Sequence, residues 1–220
     1  SPAEADETVT AELLKDQSGF TFFARTYEDN KGLDDFPNGT SVTSKDFANR
    51  DATASIVKEG DNSVLSLYNG TSGTRSAVSD IEINNSKLVK VDFDFKQDAK
   101  SNINSEAQSS IQLMSADNKT LFKVGNKANT DKKWAEMSVN DTPLTDAIEI
   151  GASTGWFHLS GEFDFDSNTA DVVITRKSDN QIVYDDTIAL EADSTLVGMH
   201  IRYDRYITTF LDNVLVTAYP

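Results

Sequence analysis

The stretch that decides the fold is LVGMHIRYDRYITTFLDNVLVTAY, residues 196–219. Its strand-forming residues fall into two runs, which are separated by a tight corner at residues 204–205. If the apolar side chains of the first run point into a core, His200 and Arg202 share the opposite face, because side chains alternate along a strand. The second run carries Asp212 inside an otherwise apolar strand. These features predict a final β-hairpin that closes a sandwich and supplies part of its chemistry.

Residues 88–96 and 156–165 show the clearest strand patterns in the rest of the chain. In LVKVDFDFK every second residue is Val or Phe, and Lys or Asp lies between them, as in a half-buried antiparallel strand. Roughly a dozen short runs of this kind are separated by turn residues, and no long helix or internal repeat is visible. We predict an all-β, antiparallel two-sheet β-sandwich of the jelly-roll type. It would be a single domain over residues 19–220, after a linker or poorly ordered segment in residues 1–18.

The composition argues against several classes of function. The 220 residues include no cysteine, which excludes a disulfide scaffold, a thiol nucleophile and a cysteine-ligated zinc site. The formal net charge of -16 opposes binding to nucleic acid or to anionic membranes, because both need a basic surface. No apolar run reaches the length of about 18 residues that a membrane span needs. We expect a monomer whose surplus carboxylates serve solubility and, in part, suit calcium.

Two segments resemble the concanavalin A-like and laminin-G-like jelly-roll domains, which often accompany bacterial polysaccharide-degrading enzymes. They are residues 155–190 and the run FLDNVLV at residues 210–216. The matching positions are Trp156, His158, Asp164, Asp166 and residues 212–214. The resemblance implies a secreted bacterial carbohydrate-binding module that is attached to catalytic or scaffolding domains in a larger protein. It also implies that the module is non-catalytic and targets an attached enzyme to a plant cell-wall polysaccharide, either a β-glucan such as xyloglucan or a pectic glycan.

Two alternatives stay open at this point. One is a glycoside hydrolase or polysaccharide lyase on the same fold, and the other is a structural or adhesin domain without a glycan site. Glu162, Asp164 and Asp166 resemble the acidic strand of laminarinase-type glycosidases, although the third carboxylate is one methylene shorter than the expected Glu. The Arg-x-Glu-x-Arg and Gln-x-His strands of the jelly-roll alginate lyases do not occur in the sequence. We therefore expect a protein that is not an enzyme.

The resemblance further implies a structural calcium ion. In domains of this kind its ligands commonly come from a Glu near the first strand and from the Asp of the last strand. Glu28, Asp29 and Asp212 match those positions. Together with loop carbonyls they would give calcium its six to eight oxygen ligands. The alternative is an acidic surface loop and a strand-end Asp that make only local hydrogen bonds.

The predicted ligand-binding residues lie mainly in the only basic cluster of the acidic chain. A sugar needs a flat aromatic ring for its apolar face and planar donors for its hydroxyl or carboxylate groups. His200, Arg202, Arg205 and Tyr206 supply such groups, and Trp134 is a further candidate platform. The alternatives are that the arginines pair with surface carboxylates, that the tyrosines cap the core, and that Trp134 fills the interior.

Overall fold

A computed structural model of the protein describes residues 20–29, 52–70, 77–82 and 87–219. These ranges contain only β-strands as regular secondary structure, and none of their segments is a helix that could span a membrane. The predicted linker, residues 1–18, lies outside the described residues. The strands are β1 Phe20–Arg25, β2 Ala52–Glu59, β3 Asn62–Asn69, β4 Ala77–Glu82, β5 Leu88–Ala99, β6 Gln108–Met114, β7 Thr120–Ala128, β8 Trp134–Val139, β9 Thr142–Pro143, β10 Phe157–Asp164, β11 Thr169–Arg176, β12 Gln181–Ala189, β13 Gly198–Tyr203 and β14 Ile207–Tyr219.

The strands form two antiparallel sheets, which confirms the predicted all-β sandwich. The eight-stranded sheet has the order β12-β11-β10-β5-β14-β3-β2, and β1 pairs with the second half of β14. The six-stranded sheet has the order β4-β13-β6-β7-β8-β9. Each sheet contributes one apolar face to the core between them, and the opposite faces meet solvent.

The period-two segments have the predicted orientation. Val89, Val91, Phe93 and Phe95 of β5 are buried, and the inward residues of β10, among them Phe157, are buried against them. The rings of Phe95 and Phe157 are stacked, with centroids 5.7 Å apart. Burying a side chain of this size contributes about 1.5–3 kcal/mol, so these two adjacent central strands anchor the core.

The prediction of a final hairpin is wrong in one respect. β13 pairs with β4 and β6 in the six-stranded sheet, whereas β14 lies between β5 and β3 in the eight-stranded sheet. The corner between them therefore carries the chain from one sheet to the other. At this corner Tyr206 adopts a φ of 66°, its N–H donates to Asn69 O at 2.7 Å, and Ile207 N–H donates to Asp204 O. Alternation specifies only which side chains face the core. A hairpin within one sheet and a corner between two sheets both satisfy it.

A buried polar network connects the two sheets. Gln97 of β5 is almost fully buried, and its Oε1 accepts hydrogen bonds from Ser109 Oγ and from Asn126 Nδ2. Its Nε2 donates to Thr209 Oγ1 of β14 at 3.2 Å. Polar groups in a core are tolerated when they are hydrogen-bonded in this way, so Gln97 fixes the two sheets relative to each other.

Candidate functional site

A groove of about 530 Å³ lies on the outer face of the six-stranded sheet. Its floor is a row of small residues that face one another across neighbouring strands: Ser110 of β6 pairs with Gly125 of β7, which pairs with Ser138 of β8. Gly125 has no side chain, and a Cβ there would lie 3.2 Å from Ser138 Oγ. Because the row crosses the strands, the groove also runs across the sheet.

Longer polar side chains of the neighbouring rows line the groove on both sides of this floor. On one side Lys123 forms an ion pair with Asp141, with 3.0 Å between Nζ and Oδ1. On the other side Lys127 lies 3.6 Å from a carboxylate oxygen of Glu106. The remaining lining residues are Gln108, Gln112, Glu136, Arg202 and Asp204, whereas the side chains of Ser109 and Asn126, which also border the groove, point into the core toward Gln97. The described lining therefore offers hydroxyl, amide and paired charged groups, and it includes no aromatic ring.

Two of the predicted binding residues lie on this face. Met199, Ile201 and Tyr203 of β13 are buried, and His200 and Arg202 alternate with them on the outer side of the sheet. Arg202 is exposed and stands beside Ser110 at the end of the floor row, where it lines the groove.

Arg205 and Tyr206 lie at the corner between the sheets and not in the groove lining. The guanidinium of Arg205 stacks on the ring of Tyr206, with 4.2 Å between Cζ and the ring centroid, and also donates to the Tyr206 hydroxyl. Tyr206 in turn packs against the core. This pair therefore fits the interpretation in which a tyrosine caps the core.

Trp134 is not on the surface, which corrects its choice as a ligand platform. It is the first residue of β8, its relative exposure is 0%, and it belongs to the core cluster. The two lysines that precede it belong to a turn in which Lys132 has a φ of 61° and Asn129 Oδ1 accepts from the Lys133 N–H. Since the lysines are not part of the strand, they do not indicate the orientation of Trp134.

The floor residues were missed at the sequence level. Ser110, Gly125 and Ser138 are small residues in three different strands, and nothing in their local sequence marks them as a group. The sequence signal for these residues is that small residues occupy outward-facing positions of the strands. Only the pairing register of the three strands shows that they form one row.

No protein-family model matches the chain, and no curated protein sequence matches it. Among solved structures, it is similar to the CBM2 module of the evolved Dit protein of Lactobacillus casei BL23 phage J-1, with 10% sequence identity and a TM-score of 0.52. That alignment covers 91% of this chain and 96% of the other. It is also similar to lectin I from Ulex europaeus in complex with the methyl glycoside of α-L-fucose, with 12% identity, a TM-score of 0.50 and coverage of 90% and 97%. The chain has the concanavalin-like jelly-roll fold.

An acidic site lies where the start of β3 meets β14. Asp212 is buried, its Oδ2 accepts from Asn62 Nδ2 at 2.7 Å, and its Oδ1 accepts from the Asn213 N–H at 2.8 Å. Glu28 Oε1 accepts from the Ser63 N–H at 2.8 Å. Burial raises the pKa of Asp212 above its ordinary value, and the negative charges of Asp94 and Glu28 add to this effect.

The donors of this site suit a calcium ion in chemistry. Asp212 and Glu28 provide carboxylate oxygens, and the charge on Asp212 is balanced only by neutral hydrogen-bond donors among the contacts just described. Asp29 is exposed in the same turn as Glu28. Within the described ranges, however, no three His, Cys, Asp or Glu side chains come together as a metal-binding group. A calcium ion held here would need amide, backbone or water oxygens to complete its ligands.

A charged network occupies the outer face of the eight-stranded sheet beside this acidic site. Asp94 is 3% exposed, and His158 Nδ1 lies 2.6 Å from its Oδ1. Its Oδ2 accepts from Lys177 Nζ at 2.7 Å and from Asn213 Nδ2 at 2.9 Å. Burial favours the protonated form of Asp94, but these hydrogen bonds and the charge of Lys177 hold its pKa below the ordinary value.

The acidic strand β10 is used structurally at its end. Asp164 Oδ1 accepts from the backbone N–H groups of Asp166 and Ser167, at 3.0 and 3.1 Å, and so forms the turn into β11. Short side chains of Asp commonly close turns in this manner. These contacts favour the interpretation of Asp164 and Asp166 as turn residues over that of a glycosidase acid pair.

Proposed function

We propose that this protein is a non-catalytic carbohydrate-binding module that holds a polysaccharide chain in the groove of the six-stranded sheet. The observation that carries the proposal is the row of Ser110, Gly125 and Ser138, a narrow floor of small residues that crosses three strands between polar walls. A glycan chain presents many hydroxyl groups, and amides, hydroxyls and fixed charges on such walls can bind them by hydrogen bonds. The fold supports the proposal in general terms, since one similar structure is named as a CBM2 module and the other is a lectin bound to a fucoside.

A neutral plant cell-wall glucan such as xyloglucan suits this groove better than a pectic glycan. Lys123 and Lys127 are paired with carboxylates, and the chain as a whole is acidic. An anionic glycan would have to displace those carboxylates against general repulsion that salt screens only in part. In this proposal the module is secreted by a bacterium and targets an attached catalytic or scaffolding domain to its substrate.

Binding of soluble plant glycans to the wild type and to Gly125→Val tests the proposal. Valine is favoured in strands, and its side chain would fill the floor of the groove. Its closest contact would be the Ser138 hydroxyl, which can rotate away. We expect at least a tenfold loss of affinity by calorimetry. Ser160→Val, which adds similar bulk on the outer face of β10, is the matched control and should bind normally.

The outcomes separate the three classes of function. Binding without release of reducing ends supports the module, whereas turnover that Glu162→Gln abolishes would establish the glycosidase alternative. If the folded wild type binds none of the glycans in the panel, a structural or adhesin domain is favoured instead. Equal affinity of the wild type and of a folded Gly125→Val variant would remove the groove from the proposal.

We also propose that Asp212 and Glu28, with Asp29 at the same turn, hold a structural calcium ion. The proposal is supported by the raised pKa of Asp212 and by the absence of a cation among its described hydrogen-bond partners. Calcium at ten times its dissociation constant would stabilise the fold by about 1.4 kcal/mol through mass action. Thermal unfolding with calcium and with a chelator measures this effect. A melting temperature that is the same in both conditions would contradict the site.

A further inference from the structure

A second cavity, of about 330 Å³, opens on the outer face of the eight-stranded sheet, on the far side of the sandwich from the groove. It lies between the starts of β3 and β10, the end of β11 and the middle of β14. Its described lining residues are Asn62, Asp94, Trp156, Lys177, Ser178 and Asp212. The groove proposed above has no aromatic residue in its described lining, but this cavity has a tryptophan.

Trp156 is half-buried, and its orientation is fixed by its neighbours. Its Nε1–H donates to Glu59 Oε1 at 2.7 Å, and Glu59 forms an ion pair with Lys96 at 2.8 Å. The ammonium of Lys96 lies 5.4 Å from the centroid of the Trp156 ring and 4.6 Å from that of Phe210. Since the indole is held by a hydrogen bond and by these ring contacts, it is preorganised at the edge of the cavity.

The polar side of the cavity contains both hydrogen-bond donors and acceptors, and their positions are also fixed. Asp94 is held by His158, Lys177 and Asn213, and Asp212 is held by Asn62. The ammonium of Lys177 is partly exposed, and the hydroxyl of Ser178 adds a group that can both donate and accept. Carboxylate, amide, ammonium and hydroxyl groups therefore surround one side of a fixed aromatic ring.

We propose that this cavity is a second carbohydrate site, which takes a single sugar ring. The apolar C–H face of a pyranose would stack on Trp156, while its hydroxyls donate to the free lone pairs of Asp94 and Asp212 and accept from Lys177. The volume is at the lower limit of ligand pockets, which begin at about 300 Å³, so a terminal or branching sugar fits it better than a chain. With sites on opposite faces, one copy of the protein would bind two glycan strands at once.

The chain provides its own reporter for this site because it contains two tryptophans in different places. Trp134 is fully buried in the core, whereas Trp156 lines the cavity. The experiment titrates the full chain with the methyl glycosides of glucose, galactose, mannose and fucose, and follows tryptophan emission and the two indole N–H resonances. We expect at least one glycoside to produce a saturable change in emission and in the Trp156 resonance, while that of Trp134 stays in place.

Two variants test the assignment. Trp156→Ala should abolish the saturable response, and Lys177→Met, which keeps the length of the side chain but removes its charge, should weaken binding at least tenfold. Lys177→Met keeps the test valid if Trp156→Ala fails to fold. Gly125→Val should respond like the wild type, which separates this site from the groove. The titrations are run both with calcium and with a chelator, because Asp212 also belongs to the proposed calcium site.

The proposal is overturned if none of the four glycosides gives a saturable change at the Trp156 resonance. It is equally overturned if the response persists in a folded Trp156→Ala variant or if Lys177→Met binds like the wild type. If a glycoside shifts the Trp156 resonance but no polysaccharide in the panel binds, this site is supported and the groove is rejected. The reverse result would reject this site and leave the groove in place.

Discussion

Raising the pH from about 6 to about 9 should destabilise this protein through a single histidine. His158 lies on the outer face of the eight-stranded sheet, with Nε2 3.4 Å from an oxygen of Asp92 and Nδ1 2.6 Å from an oxygen of Asp94. Hydrogen bonds to Asp92 and Asp94 raise the pKa of His158 from 6.5 to about 9, against the opposing effect of burial. Because the pKa in the folded state is the higher one, the protonated ring stabilises the fold. That contribution is complete below pH 6.5 and is lost as the pH rises through about 9.

The magnitude follows from the pKa shift and from the exposure of the ring. A shift from 6.5 to about 9 corresponds to roughly 3 kcal/mol, at 1.36 kcal/mol per pKa unit. The side chain of His158 is 38% exposed, so solvent screens part of the interaction with the carboxylates. We therefore expect the free energy of unfolding to fall by about 1–2 kcal/mol over this pH range on account of His158 alone.

Urea denaturation of the wild type and of His158→Gln at the two pH values measures this contribution. Glutamine keeps a hydrogen-bond donor beside Asp94 but does not titrate, and all other titrating groups are the same in the two proteins. The variant should lose about 1–2 kcal/mol less stability than the wild type between the two pH values. If both proteins lose the same free energy of unfolding, His158 is not held as a cation in the native state and the reasoning is refuted.

Two further predictions concern the core. Gln97→Leu should lower the free energy of unfolding by about 2–4 kcal/mol, because Ser109, Asn126 and Thr209 would lose their partner in the interior; a loss below about 1 kcal/mol in urea denaturation would show that the network is not needed. Gly161→Ala should cost about 1–3 kcal/mol, because the added Cβ would lie 2.9 Å from Cε2 of the buried Phe163 ring. Ser160→Ala, one residue away on the outer face, is the control for Gly161→Ala and should leave the melting temperature almost unchanged. Equal melting temperatures for the two variants would contradict the close contact between Gly161 and the Phe163 ring.

The inward and outward faces of the main strands could be predicted from the sequence, but the partners of the strands could not. Alternation in β5, β10 and β13 identified which side chains are buried, because a strand with one face on the core has no other way to place its apolar residues. The same alternation cannot tell a hairpin from a corner between sheets, so β13 and β14 were placed in the wrong relation. Pairing is decided by contacts between residues that are far apart in the sequence.

The residues of the candidate sites were predictable to different degrees, because some positions follow from alternation within one strand and others depend on which strands pair. The outward position of Arg202 was predicted correctly because orientation in β13 follows from alternation, and its role in binding stays a prediction. Trp134 was misplaced because the two lysines before it belong to the turn that precedes β8, and a strand boundary is a poorly determined feature of a sequence. Gly125 was missed because a glycine becomes a floor residue only when serines lie opposite it on both neighbouring strands.

The position of β14 has a consequence for how this protein is made. β14 is the last of the strands in sequence, yet it lies in the middle of the eight-stranded sheet, between β5 on one side and β3 and β1 on the other. During synthesis on the ribosome, β3 and β5 therefore emerge before β14. The edges of β3 and β5 that pair with β14 stay unpaired until residue 219 has left the exit tunnel. Exposed strand edges of this kind favour aggregation, and pairings between distant segments form slowly. We expect the nascent chain to depend on chaperones until its final strand is inserted.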